Sequence, residues 1–215
     1  MTDVREEALR YLGVRGEADE QTKALLERGE RALNAAASPA FCWRAEKKAE
    51  REDLLIGNDI REHLKDSATV LFFAATLGAG ADRLIRAAEV ENMAYALVLD
   101  ALSSAMIERY CDECEEVMRE KTGGRSTFRF SPGYGDFPIE LQGALLRLLS
   151  AEKRIGLTAT ENHILIPRKS VTAVIGIIAG KGEGGEPPRK KTCESCNMRD
   201  RCDFRRCGNG EKAIR

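Results

Sequence analysis

No apolar run in this 215-residue chain reaches the roughly 18 residues that span a bilayer, which excludes a transmembrane helix. The start, Met1-Thr2-Asp3-Val4-Arg5-Glu6-Glu7, is charged and lacks a hydrophobic export region, so the cytoplasm is the expected location. Internal repeats are absent. Histidine is scarce: His63 and His163 are the two in the chain, and neither has a nucleophile or metal partner at motif spacing. Both read as structural. Gly78-Ala79-Gly80 lacks the Lys-Ser/Thr that a phosphate loop requires. Without paired carboxylates or a hydrolase motif, no catalytic residue is assigned.

The chain also lacks an overall charge, at -1, but its charge is unevenly spread. Residues 186–215 carry +4 and the remainder -5. That basic excess is modest for nucleic-acid binding, which is not expected. A hydrophobic content of 43% is enough for a core, and the length fits one domain with a small appendage.

Helical periodicity predicts a first helix over 3–12 and a second, capped by Asp19, to about Ala37. Phe41-Cys42-Trp43 reads as a short strand and the charged run Glu46–Asp53 as a solvated face. Asn58 or Asp59 caps a helix to Leu64. Thr69–Thr76 is β-rich and continuous, as a buried strand is. A long helix is expected from about Glu91 to Glu120, with Met93, Leu97, Ala101, Ala105 and Met106 inward. Pro138 suits the first turn of a helix carrying Leu141, Leu145 and Leu148. Two strands follow, His163–Ile166 and Val171–Ile178. Helices dominate the first half and strands cluster later without strict alternation, so the fold class is α+β.

The stretch Arg129-Phe130-Ser131-Pro132-Gly133-Tyr134 carries the most chemistry. An arginine grips a carboxylate through two parallel hydrogen bonds. Pro-Gly makes a turn whose backbone groups face outward. Tyrosine offers an apolar ring with a polar tip. S-adenosylmethionine, with its carboxylate, ammonium and sulfonium, needs such a set. A surface turn with a solvated arginine is the plainer reading of the same residues.

The company of this motif adds to it. A helix over about Phe137–Ser150 follows, then Glu152-Lys153, Gly156, Thr160-Glu161, Pro167 and the Ser170-Val171 strand. In this order the chain resembles the reactivation domain of cobalamin-dependent methionine synthase, over roughly residues 90–178 and more weakly over Val70–Gly78. The resemblance implies helices packed on an antiparallel sheet over residues 1–179. It also implies S-adenosylmethionine bound by Arg129, the Ser131 backbone, Gly133 and Tyr134. Asp100 is the acidic partner matched by spacing from Ile107-Glu108-Arg109. It implies a free-standing accessory of a corrinoid-binding methionine synthase or methyltransferase, with cobalamin on that partner. The electron for reductive methylation would come from a donor such as flavodoxin or ferredoxin. The chain departs from the family in having no tyrosine after Tyr134. It also has no room for a substrate barrel or a cobalamin domain.

Residues 180–190 are rich in glycine and proline and read as a linker. Residues 191–215 form a cysteine-rich tail, Cys193-x2-Cys196-x5-Cys202-x4-Cys207. Thiolates so spaced hold one zinc ion or an iron–sulfur cluster, and the spacing matches neither standard pattern. An attached cluster is a candidate electron donor. Cys111 and Cys114 share a helix face and could complete a site with the tail, but buried core cysteines are the commoner reading, as for Cys42. Two other readings stay open: a non-catalytic module that only docks to a corrinoid protein, and a zinc-knuckle regulatory protein using the basic tail. The tail's single aromatic, Phe204, is poor for base stacking.

Overall fold

A computed structural model describes residues 3–14, 16–123 and 125–178 of the protein. Helices α1 (Val4–Tyr11) and α2 (Glu20–Ala36) each start at an aspartate whose carboxylate accepts an otherwise orphaned backbone N–H. Asp3 takes that of Arg5 at 2.9 Å and Asp19 that of Thr22 at 2.7 Å. Strand β1 (Ala40–Lys47) pairs antiparallel with β2 (Ser67–Thr76), placing Phe41 opposite Ala75. Two 3-10 turns and α3 (Asn58–His63) connect them. Then come α4 (Ala79–Glu91), α5 (Met93–Thr122) and β3 (Arg125–Ser126). Helices α6 (Gln142–Leu149) and α7 (Ala151–Ile155), strands β4 (Thr158–Ala159) and β5 (Leu165–Ile166), and β6 (Ser170–Ile178) complete the order.

The main sheet runs β1-β2-β6-β3, antiparallel throughout, and β4 pairs with β5 in a separate two-stranded sheet. Side chains alternate across a strand with period two. On β2, Leu71, Phe73 and Ala75 therefore join a core built with α1, α2, α4 and α5. Val70, Phe72 and Ala74 join a second core with α3, α6 and α7. All six are at most 1% exposed, so the expected buried strand is buried on both faces. This is the expected α+β architecture, with the sheet between two helical layers.

Several local expectations shift. The long helix begins later than Glu91, because Asn92 breaks from α4 and caps α5 by accepting the Tyr95 N–H at 3.0 Å. Its first inward residues are Tyr95, Ala96, Val98 and Leu99, whereas Met93 and Leu97 are 59% and 57% exposed. Here α5 is covered by α1, α2 and α4 as well as by the sheet, so its buried surface is wider than one stripe. Pro138 precedes a 3-10 turn rather than sitting in the helix. The strand expected at His163 starts at Leu165, because His163 turns the chain with a left-handed backbone, φ 61°. The charged run 46–53 is not wholly solvated. Lys48 Nζ donates to the Leu64 carbonyl at 2.9 Å, and Glu46 is enclosed by Arg44 and Arg51. The tail cysteines and the linker lie outside the described residues.

Gly80 sets the approach of α4 to α2, because a Cβ on it would collide with the carbonyl oxygen of Ala36. Gly80→Ala is expected to destabilise the fold by about 1–3 kcal/mol. The check is a lower urea midpoint at unchanged slope.

Candidate functional site

Residues 125–130 run along the free edge of β6. Ser126 pairs with Ile177, and Phe130 exchanges backbone hydrogen bonds with Val174 at 3.0 and 2.8 Å. Alternation puts Phe128 and Phe130 on the α3 side, where their rings pack on His63 at 4.3 and 5.0 Å between centroids. The His63 Nε2 lies 2.9 Å from both the Phe128 carbonyl and Thr127 Oγ1. His63 is thus a structural clamp on this segment, as its sequence context implied.

Arg129, between those rings, faces α5 instead. Its Nη2 donates to Glu108 at 2.9 Å, and its Nη1 donates to Asp112 at 3.0 Å and to Glu115. The spacing 108, 112, 115 places these carboxylates on one helix face. Their sequence does not single them out, since the same helix also carries Glu113, Glu116 and Glu120. Arg129 and Glu115 are 16% and 15% exposed. Burial by itself would lower the Arg129 guanidinium, but the attraction of Glu115, Glu108 and Asp112 outweighs it and holds the pKa above the ordinary value. Burial, with repulsion from Asp112, holds the Glu115 carboxyl above its ordinary value against the pull of Arg129. A guanidinium has about five N–H donors. Three are committed here, leaving Nε–H and one Nη2 hydrogen.

The chain then turns. Tyr134 N–H donates to the Ser131 carbonyl at 3.2 Å, Phe137 N–H to that of Tyr134 at 3.0 Å, and Gly133 N–H to that of Phe137 at 2.8 Å. Phe137, 1% exposed, anchors the turn in the second core, while the Tyr134 side chain stands 66% exposed. Gly133 has φ 92°, a backbone region that favours glycine. Asp136 fastens the turn to α3: its carboxylate accepts the Asn58 and Asp59 N–H groups at 2.6 and 2.9 Å. Asp59 reciprocates by accepting the Asp136 N–H at 3.2 Å. Gly135 leaves room for that exchange, since a Cβ there would strike the Asp59 carboxylate.

Arg129, Ser131, Gly133 and Tyr134 therefore share one loop. Asp100 stands apart. It lies two turns before Glu108 on α5, about 12 Å along the axis, and pairs with Lys169 at 2.7 Å. Lys169 also donates to the Asp100 carbonyl at 3.1 Å and Ser104 Oγ at 3.0 Å.

No group of three or more histidine, cysteine, aspartate or glutamate side chains arranged to hold a metal occurs among the described residues. Cys42, Cys111 and Cys114 are buried, as expected of core cysteines. Burial pushes the Cys114 thiol up to about 11 and raises Cys111 further.

The crystal structure of the MetH reactivation domain bound to AdoHcy matches this architecture with a TM-score of 0.55 at 15% identity. The match covers 84% of this chain and 77% of that one. The chain has the fold of the MetH reactivation domain. No family profile and no curated protein matches the sequence. The likeness is thus carried by the three-dimensional arrangement of helices on an antiparallel sheet. Among the described residues no helix is long and apolar enough to cross a membrane.

The Asp136 cap makes the turn pH-dependent. The Asn58 and Asp59 N–H groups hold its carboxyl below the usual carboxylate range. Its stabilisation is present above the unfolded value of about 3.9 and is lost as pH falls through the lower folded value. Asp136→Ala is expected to melt below the wild type at neutral pH. Melting curves across pH check this: the gap should hold down to about pH 4 and close below it.

Proposed function

We propose that the protein binds S-adenosylmethionine at the Arg129–Tyr134 turn and serves the reductive reactivation of a corrinoid-dependent methionine synthase. The observation that carries this reading is the shared fold with a MetH reactivation domain solved with AdoHcy, joined to an Arg-x-x-x-Gly-Tyr turn standing open at the sheet edge.

The residues fit the ligand's handles. The two uncommitted Arg129 donors take the ligand carboxylate, and the α5 carboxylates hold the guanidinium in one orientation before the ligand arrives. Gly133 leaves the backbone bare for close approach, alongside the main chain of Ser131. The exposed Tyr134 ring covers the apolar part of the ligand. Asp100 is the candidate for the ligand ammonium and must then loosen from Lys169. When bound, S-adenosylmethionine supplies a sulfonium methyl group, and the corrinoid on the partner protein accepts it after one-electron reduction. The chain's own share is binding and positioning.

In this reading residues 1–179 are the reactivation-like domain, 180–190 a linker and 191–215 a metal-binding tail, and the protein works in the cytoplasm. Cys193, Cys196, Cys202 and Cys207 hold zinc or an iron–sulfur cluster. A cluster there would stand in for, or accept from, a flavodoxin or ferredoxin donor. Metal analysis of anaerobically purified protein separates the two: iron with acid-labile sulfide supports electron delivery, and stoichiometric zinc assigns the tail a structural role.

The engagement of Arg129 by Glu108, Asp112 and Glu115 favours one second reading, in which the fold docks a corrinoid protein without using the ligand. Calorimetry with S-adenosylmethionine decides between them. Saturable binding is expected, weakened in Arg129→Ala by about 1.5–3 kcal/mol, roughly ten- to a hundredfold. Tyr134→Ala, exposed and neutral to the fold, should weaken it as well. Absence of binding with a corrinoid partner present moves the protein to the docking reading.

A further inference from the structure

The two edges of the main sheet are unlike. At one edge β3 is two residues long, and the bridge at Phe130 continues it. At the other, β1 has β2 as its strand neighbour and runs for eight residues without a proline. Its register with β2 is unbroken from Ala40 to Lys47, so no bulge bends it away. Short strands, prolines and bulges are the devices by which proteins blunt an edge. Among the described residues no other backbone or side chain bonds the outer backbone groups of β1.

Those outer groups follow from the ladder. In an antiparallel sheet successive residues direct their N–H and C=O to opposite edges. Val174 directs its own at Phe130, so Phe72, opposite Val174, directs its own at β1, where it meets Arg44. Arg44 and its even-numbered neighbours therefore bond β2. Phe41, Trp43, Ala45 and Lys47 direct N–H and C=O outward. Phe41 and Trp43 pack on the first core and Cys42 in the second, whereas Arg44, Ala45 and Lys47 are exposed.

An added strand must match outward residues with outward residues, and it must match charge. For a second copy related by a two-fold axis the pairing is antiparallel and self-complementary. An axis at Arg44 sets Arg44 against Arg44. An axis at Trp43 sets Arg44 against Cys42 and Glu46 against Ala40. An axis at Ala45 sets Arg44 against the partner's Glu46 and Trp43 against the partner's Lys47, each twice by symmetry. In that register the Arg44–Glu46 pairs fall at non-hydrogen-bonded positions, where cross-strand side chains are closest and opposite charges stabilise. Within one copy Arg44 already pairs along the strand with Glu46, which also takes Arg51 at 3.4 Å. The charges of residues 44 and 46 thus alternate in sign around the axis. Lysine over an indole face adds a cation–π contact. Ala45, small and exposed, sits on the axis and leaves room for its neighbours. We propose that the protein pairs with a second copy of itself through β1, in the register centred on Ala45. The product is one antiparallel sheet with four strands from each copy and the two Arg129 turns at its far ends.

The test uses the full chain under reducing conditions. Sedimentation velocity over a roughly hundredfold range of concentration is expected to show a reversible monomer–dimer equilibrium. Ala45→Pro removes an outward N–H that β2 does not use, a change an edge strand tolerates. Arg44→Glu sets like charges across the axis. Each should weaken the dimer by about tenfold or more, with the circular dichroism of dilute samples unchanged. Ala45→Cys locates the contact. Hydrogen-bonded partners in a ladder lie about 5.5 Å apart between Cα atoms, within the span of a disulfide. Oxidation should therefore link position 45 of one copy to position 45 of the other, identified by peptide mass. Three results would overturn the proposal: a monomer throughout the range, a dimer that both Ala45→Pro and Arg44→Glu leave intact, or a dimer in which position 45 does not link. The outcome is independent of whether the turn binds S-adenosylmethionine.

Discussion

Strand β2 has no solvent face, and the rest of the molecule follows from that constraint. A strand buried on both sides needs apolar cover on both, and the chain supplies it unequally. One side receives α1, α2, α4 and the long α5; the other receives α3, α6 and α7. The antiparallel partners β1 and β6 satisfy the backbone groups of β2, and β6 then needs a neighbour of its own. That neighbour is the short β3 and its continuation to Phe130. The turn therefore follows directly from the last strand-like pairing of the sheet.

Arg129 joins the two helical layers. Its ion pairs to α5 tie the edge strand to the first helical layer, while the Phe128 and Phe130 rings beside it enter the opposite layer. Removing one partner of such a buried cluster leaves the others uncompensated. Any ligand that uses Arg129 must work with the donors the carboxylates leave free. The turn itself is stiffened from outside by the exchange between Asp136 and α3. A turn so held keeps its backbone in one conformation.

Much of the fold was legible from the residues. The aspartate cap at Asp19, the buried run Val70–Ala75 and the length of α5 all obey local rules that tertiary structure did not override. The failures are as physical. Met93 and Leu97 read as inward because periodicity reports an apolar stripe, not which neighbours cover it. The hairpin strand at His163 was too long because one left-handed residue ends it. In the candidate site, Arg129, Ser131, Gly133 and Tyr134 were found together because they are contiguous. Glu108, Asp112 and Glu115 were passed over because α5 is charged along much of its exposed surface, and nothing local marks one carboxylate face as the partner of a distant arginine.

Local sequence by itself determined most elements, the Asp19 cap, the glycine-dependent turn and the α+β class, but not the start of α3: Asn58 and Asp59 do not cap it, and the distant Asp136 accepts their N–H groups. These depend on short-range sterics and hydrogen bonding, which act within a few residues. Tertiary structure alone decided that Arg129 is already bound to three carboxylates and that Asp100 pairs with Lys169. Each joins side chains from different elements. Coulomb attraction and burial depend on distance in space, and a linear sequence does not contain it.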